Sequence, residues 1–221
     1  MQRREFLWLA SGTAFAADLP GKGWKPLFNG KSLAGWTAQD SKPQEWTVAD
    51  NLLGNGSKGK LHNIVSDKQF GDVELFVEFQ IPASSNSGIY LQGLYEVQIF
   101  DSFGKEKLTA QDGGAIYHRW IEEKPVGGSI PKVNASKKPG EWQSYQIAFR
   151  APRFDAVGKK TSDAKFLRVI YNGQLVQENI SCAGPTRSAM NLPEAAKGPL
   201  MVQGDHGPVK FRSIAWRALK T

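Results

Sequence analysis

The stretch Asn86–Asp101, NSGIYLQGLYEVQIFD, interleaves amides, a carboxylate and aromatic rings with Ile, Leu and Val. On an extended chain alternate side chains share a face, so Tyr90, Gln92, Glu96 and Gln98 fall together if the pleat continues past Gly93. Ile89, Leu91, Val97 and Ile99 then turn the other way, toward a core. A sheet face carrying two amides, a carboxylate and a ring suits a polyhydroxylated ligand: hydrogen bonds fix its orientation and rings cover its apolar faces. The competing reading is an ordinary solvent-facing sheet surface.

The elements that must position these groups are strands. Helical periodicity is almost absent, whereas period-two alternation recurs in DVELFVEFQI, YEVQIFD, WQSYQIAFRA, FLRVIYNGQLVQENI and VKFRSIAWRAL. In VIYNGQLVQ the pair Asn172-Gly173 is the strongest hairpin signal, because both residues tolerate the positive φ of a type I′ turn. Many short strands punctuated by 23 Gly and 12 Pro point to an all-β, two-sheet antiparallel sandwich rather than a solenoid or an α/β fold. Trp36, Trp46, Trp142 and Trp216 are expected to pack rather than to stack on sugar, with Trp142 in the core.

A length of 221 residues fits one sizeable domain. The net charge of +7 is spread over Gly- and Ser-rich loops, and no recognition helix or aromatic-rich basic module accompanies it, so nucleic acid is not expected as a partner. At the N-terminus Arg3 and Arg4 precede a short apolar run, Phe6 to Phe15, with Ala14 and Ala16 in an A-x-A arrangement. Residues 1–16 are expected to be an export signal resembling the twin-arginine type, with a plain secretory signal as the alternative. The mature domain would be 17–221 and periplasmic or secreted. The apolar run is far short of the roughly 20 residues that span a bilayer, so no stable membrane anchor is expected. Cys182 is the single cysteine and has no intrachain disulfide partner. GNGSKGKL, Gly54 to Leu61, contains the Gly-x4-Gly-Lys of a phosphate-binding loop, but Leu61 replaces the required hydroxyl and strand follows instead of helix. It reads as a turn-rich loop.

Six segments carry a resemblance: LFNGKSLAGW from Leu27, NSGIYLQGLYEVQIFDSFG from Asn86, DGGAIYHR from Asp112, KKPGEWQSYQIAFRAPRFD from Lys137, YNGQLVQENISCAGPT from Tyr171 and VQGDHGPVKFRSIAWR from Val202. Together, and in this order, they resemble the 3-keto-disaccharide hydrolase family over nearly all of the mature chain. The resemblance implies a concanavalin A-like jelly roll and chemistry on glycosides whose sugar has been oxidised to a ketone. It also implies a functional link to a separate sugar 3-dehydrogenase that makes the ketone. Relative to the family's usual Gln-Asp-His-Gly run this chain has an additional Gly204, and His118 stands where a small residue is common.

The residues can be weighed against that chemistry. Retaining glycosidases need two carboxylates roughly 5 to 5.5 Å apart. YEVQIFD supplies only Glu96 on its face, and Asp101 has the opposite parity, so double displacement is disfavoured. A 3-keto sugar needs less. The ketone acidifies the neighbouring C–H, so one base can form an enolate, which expels the anomeric group, and water then adds to the enone. Glu96 is the candidate base, His206 the candidate acid or base, and Asp205 its orienting partner. Tyr90, Gln92, Gln98, Tyr117, His118, Asn134 and Gln203 are candidate contacts to a small carbohydrate substrate. Each has a plainer alternative: Glu96 pairing with Arg119 or Arg212, His206 as a surface turn residue, His118 as packing. Three histidines with Glu96, Asp101, Asp112 and Asp205 could ligate a divalent cation, but no spacing specifies a site and the metal stays open. A noncatalytic sugar-binding module, or a glycoside hydrolase acting on unoxidised glycan, are the competing functions.

Overall fold

The computed structural model describes residues 19–220, so the expected export signal lies outside the described residues. In chain order the strands are β1 (Lys25–Pro26), β2 (Trp36–Ala38), β3 (Thr47–Ala49), β4 (Leu52–Gly54), β5 (Ile64–Phe70), β6 (Val73–Gln80), β7 (Asn86–Leu91) and β8 (Tyr95–Phe100). They continue as β9 (Arg119–Ile121), β10 (Lys124–Val126), β11 (Gln143–Arg150), β12 (Arg153–Phe154), β13 (Lys160–Ser162), β14 (Ala164–Tyr171), β15 (Gln174–Cys182), β16 (Gly198–Val202) and β17 (Lys210–Ala218). Two antiparallel sheets form a jelly-roll sandwich, one ordered β15-β14-β11-β6-β17-β4-β3 with β1 beside β17, the other β2-β5-β16-β7-β8. Bridges from Val97 to Ile116 and from Ile116 to Ser129 widen the smaller sheet beyond β8. Among the described residues no helix is long and apolar enough to cross a membrane.

Alternation explains the layers. In β6, VELFVEFQ, residues Val73, Leu75, Val77 and Phe79 enter the core, and Ile89, Leu91, Val97 and Ile99 meet them from the smaller sheet, as their parity predicts. The core is aromatic, with Tyr145 4.6 Å from Tyr171 and 5.0 Å from Phe79, ring centre to ring centre. Fully burying one large apolar side chain contributes roughly 1.5–3 kcal/mol. The Tyr145 hydroxyl escapes an unsatisfied burial by donating to the Gln98 carbonyl at 2.6 Å, which ties the back of the smaller sheet to the larger one. The Asn172-Gly173 turn joins β14 to β15 with φ of 48° and 83°, the positive values its sequence anticipates.

Glu74, Phe76 and Glu78 of β6 face outward and are nevertheless buried. Glu74 is shared by Arg168 at 2.8 Å and Arg217 through Nε at 2.6 Å, and Glu78 is held by Arg212 at 2.6 Å. Arg212 is thus committed to the opposite sheet, so its expected alternative role as a partner of Glu96 does not arise. It also lies 4.7 Å from the centre of the Trp142 ring. Trp142 is therefore half-buried on the outer face under a guanidinium, and not in the core as its sequence context suggested. The reason is register: Gln143 faces Phe79 at the start of β11, which leaves Trp142 just outside the paired region. Trp36 and Trp46 are buried as expected.

Candidate functional site

The site rests on the outer face of the smaller sheet. Tyr90 pairs with Glu96 and Gly88 with Gln98 across the β7–β8 hairpin, and Met201 of β16 pairs with both Tyr90 and Val65. Directly paired residues of antiparallel strands share a face, so Glu96, Tyr90, Met201 and Val65 form one row across the sheet. Gln98, Gly88 and Gln203 form the next, with the Gln203 N–H donating to the Gly88 carbonyl at 3.0 Å. Met190 packs against Val65, Tyr90 and Met201 from above.

Glu96 is 1% exposed although it faces away from the core. Its carboxyl lies over the backbone of residue 88, where a Cβ would stand 2.2 Å from Oε1. The Tyr90 side chain lies beside this carboxyl, directly across the hairpin. With the Gln98 amide oriented to satisfy both its ends, its nitrogen donates to Glu96 Oε1 at 2.7 Å and to the Ser87 carbonyl at 3.0 Å. Glu96 Oε2 has no partner among the described residues. Burial pushes the carboxyl up to about 8; the Tyr90 hydroxyl opposes this rise and the negative charge of Asp205 adds to it. The Tyr90 phenol is held well above its usual range by burial first and by the Glu96 charge second, so it stays protonated.

Two further segments approach this row. The Tyr117 N–H donates to the Glu96 carbonyl at 3.1 Å, and its phenol is raised by burial and then by the Glu96 charge. His118 is buried with its ring centre 4.2 Å from that of Tyr117, and its Nε2 has no partner among the described residues. Burial, and then the positive charge of Arg187, pull its imidazole down, so it is neutral at pH 7. From the other end comes the turn Gly204–Gly207, in which His206 Nδ1 lies 2.5 Å from Asp205 Oδ1. Both side chains are about half exposed, at 49% and 51%. Gln203, just before this turn, is bonded to Ser87 and Gly88, and Gly207 packs against Ser85 and Asn86, so the turn lies alongside β7, near enough for the Asp205 charge to act on Glu96 and Tyr90 although about 110 residues separate them in sequence.

The structure therefore sets Glu96, Tyr90, Gln98 and Gln203 on one face with Tyr117 and His118 beside them, and the turn carrying Asp205 and His206 follows directly from Gln203. It does not bring Gln92 or Asn134 to them. The pleat does not run through Gln92: it lies in the hairpin turn with φ of 57°, and its amide donates to the Phe70 carbonyl at 3.1 Å. Glu96 keeps the parity expected of it because the hairpin register pairs even with even. Asn134 donates to the Ser102 and Lys105 carbonyls at 2.7 and 2.9 Å and accepts from the Ser136 N–H, so its amide holds a loop.

The other carboxylates are likewise occupied. Asp112 accepts from Ser102, Lys105 and Thr109, and Asp101 from the Ser84 N–H. Among the described residues no group of three His, Cys, Asp or Glu converges as metal ligands would. A cavity of about 520 Å³ between β3, β4 and the Pro208–Lys210 segment contains none of the candidate residues. Sequence reasoning passed over Gly88, which seats the Glu96 carboxyl, and Asn55, which holds the Asp205–His206 turn. The first could have been found only from its pairing with Gln98; the second sits in a segment that reads as a simple turn.

Comparison with known proteins agrees with this architecture. The chain is similar to a provisionally assigned glycosyl hydrolase of Parabacteroides distasonis, 31% identical with a TM-score of 0.72, covering 89% of this chain and 84% of that one. A second such protein of the same organism is 24% identical, with a TM-score of 0.63 over 90% of this chain and 100% of that one, a likeness of fold. No curated protein matches. Residues 23–217 match the family model described as the 3-keto-alpha-glucoside-1,2-lyase-like domain, and the chain belongs to that family.

Proposed function

We propose that this protein cleaves the glycosidic bond of 3-keto glycosides by elimination across C1 and C2 followed by hydration. Glu96 Oε2 takes the proton from C2, and the C–H electrons pass into an enolate on the C3 oxygen. The enolate re-forms the ketone and expels the oxygen at C1, which receives a proton from the His206–Asp205 pair. Water adds to the resulting enone. The Tyr117 hydroxyl, kept protonated by its surroundings, is a donor available to the enolate oxygen. The supporting observation is the Glu96 carboxyl itself, buried, with one free oxygen and a pKa of about 8. A base of that strength matches an activated C–H better than an ordinary carboxylate does. The second acidic group nearby, Asp205, is engaged with an imidazole instead of being free to act as a glycosidase nucleophile.

The test is to incubate purified protein with 3-keto-trehalose or 3-keto-lactose beside the plain sugars. Release of free glucose and a 3-keto sugar from the oxidised series alone is expected. Turnover of the plain sugars would point to a conventional glycosidase, and binding without turnover to a lectin-like module. The same proposal includes removal of residues 1–16 on export, checked by N-terminal sequencing of exported protein for a start at Ala17, and a separate dehydrogenase supplying the ketone.

A further inference from the structure

The segment GNGSKGKL, which reads as a turn-rich loop, makes specific bonds in the fold. Asn55 is 1% exposed, and its amide donates to the Gly204 carbonyl at 3.0 Å and to the Gly207 carbonyl at 2.9 Å. Its Oδ1 accepts the Val209 N–H at 2.8 Å. All three side-chain bonds land on the turn that carries Asp205 and His206 or just beyond it. The two carbonyls are those of the residues immediately flanking that pair.

Both ends of the turn are closely packed, since a Cβ on Gly207 would stand 2.5 Å from Ser85 Oγ and one on Gly204 2.8 Å from the His62 carbonyl oxygen, but these contacts hold each end separately. On one side the backbone of Gly207 lies directly against that of Gly59, where a Cβ on residue 59 would stand 1.9 Å from the Gly207 carbonyl carbon. On the other side, the cavity of about 520 Å³ is lined by Gly54, Gly56, Ser57, Pro208 and Val209, so the segments on either side of Asn55 and beyond Gly207 have open space behind them. Further polar bonds reinforce the near end of the turn: Asn63 Oδ1 accepts the Gly204 N–H at 2.9 Å, and the Leu61 N–H donates to the Gly204 carbonyl at 3.0 Å. Among the described residues, Asn55 alone donates side-chain hydrogen bonds to both ends.

We propose that Asn55 is a positioning residue that fixes the Asp205–His206 pair alongside the Glu96–Tyr90 row. As a statement about catalysis this rests on the proposed elimination; as a statement about geometry it does not. A displacement of about 1 Å between catalytic groups can cost about 100-fold in rate.

The test uses Asn55→Ala, with Asn55→Asp as a second variant that keeps the acceptor for Val209 and loses the donor to both carbonyls. In each folded variant kcat on a 3-keto glycoside is expected to fall about 100-fold with KM changed less than about threefold. The titration of Glu96, followed by NMR in substrate-free protein, is expected to shift to lower pH because the Asp205 charge has moved away. Purely structural support would leave that midpoint in place. An unchanged kcat and an unchanged Glu96 midpoint in a folded variant would overturn the proposal. So would failure of both variants to fold, since the amide would then be holding the sandwich itself. If wild-type protein turns over no 3-keto glycoside but the midpoint still shifts in the variants, the positioning role stands and the proposed reaction is what fails.

Discussion

The carboxyl of Glu96 lies against the backbone of Gly88, a residue on the neighbouring strand, so closely that no side chain fits between them. A carboxylate on a sheet face ordinarily reaches into water. Here it is folded down onto a glycine beside Tyr90 and Gln98, which removes it from solvent and leaves one oxygen without a hydrogen-bond partner among the described residues.

Gly88→Ala tests this seat. A methyl group 2.2 Å from Oε1 must displace the carboxyl or the strand. Activity is expected to fall about 100-fold through misplacement of the base, and stability by about 1–3 kcal/mol through overpacking. Steady-state kinetics and a denaturant titration read the two effects, and unchanged kinetics would remove Gly88 from the site.

The pH dependence follows from the direction of the Glu96 shift. Its folded pKa is raised from 4.5 to about 8, so between those values the folded protein binds more protons than the unfolded chain. Stability then declines as pH rises through this window and levels off above about 8, the reverse of a salt-bridged carboxylate. The rising limb of the pH–activity profile, which reports deprotonation of the base, should have its midpoint near pH 8. Glu96→Gln is expected to lower turnover by about 10²–10⁴-fold and to raise the melting temperature at pH 9 by about 5 °C. A melting temperature at pH 9 that did not rise in this variant would contradict the buried-acid account.

Two substitutions should move the activity profile in opposite directions. Tyr90→Phe removes a hydroxyl that favours the Glu96 carboxylate, so the midpoint of the pH–rate curve should shift upward. Asp205→Asn removes a negative charge that disfavours it, so the midpoint should shift downward even as the rate falls. Shifts of the same sign would show that the two neighbours do not act on Glu96 as described.

Asn134→Ala separates structure from chemistry. Two backbone carbonyls lose their donor, and about 1–3 kcal/mol of stability should go with them. Thermal unfolding should register this loss while kcat/KM at a temperature where the protein is folded stays within about twofold of wild type.

Much of this was legible in the chain. Period-two alternation in VELFVEFQ and YEVQIFD separated core from outer face, and Asn172-Gly173 marked a turn, because these features depend only on neighbouring residues and on the pleat. The same pattern placed Tyr90, Glu96 and Gln98 together, and a resemblance spread over six segments pointed to the family. Gln92 and Trp142 escaped that logic: one lies where the strand turns, the other where pairing has not begun, and alternation has no meaning outside a ladder.

What only the tertiary structure decided is the state of the site. Whether Glu96 is an ordinary carboxylate or an acid near pH 8 depends on how much water and charge surround it, and that is set by its seat on Gly88 of the neighbouring strand and by Asp205, which lies over a hundred residues further along the chain. Asn55 likewise looks like any turn asparagine until the fold brings the carbonyls of Gly204 and Gly207 to its amide. Strand positions and the faces of their side chains follow from local pattern; strand order, ionisation and the aim of a loop come from long-range pairing, burial and charge, which no stretch of sequence carries by itself.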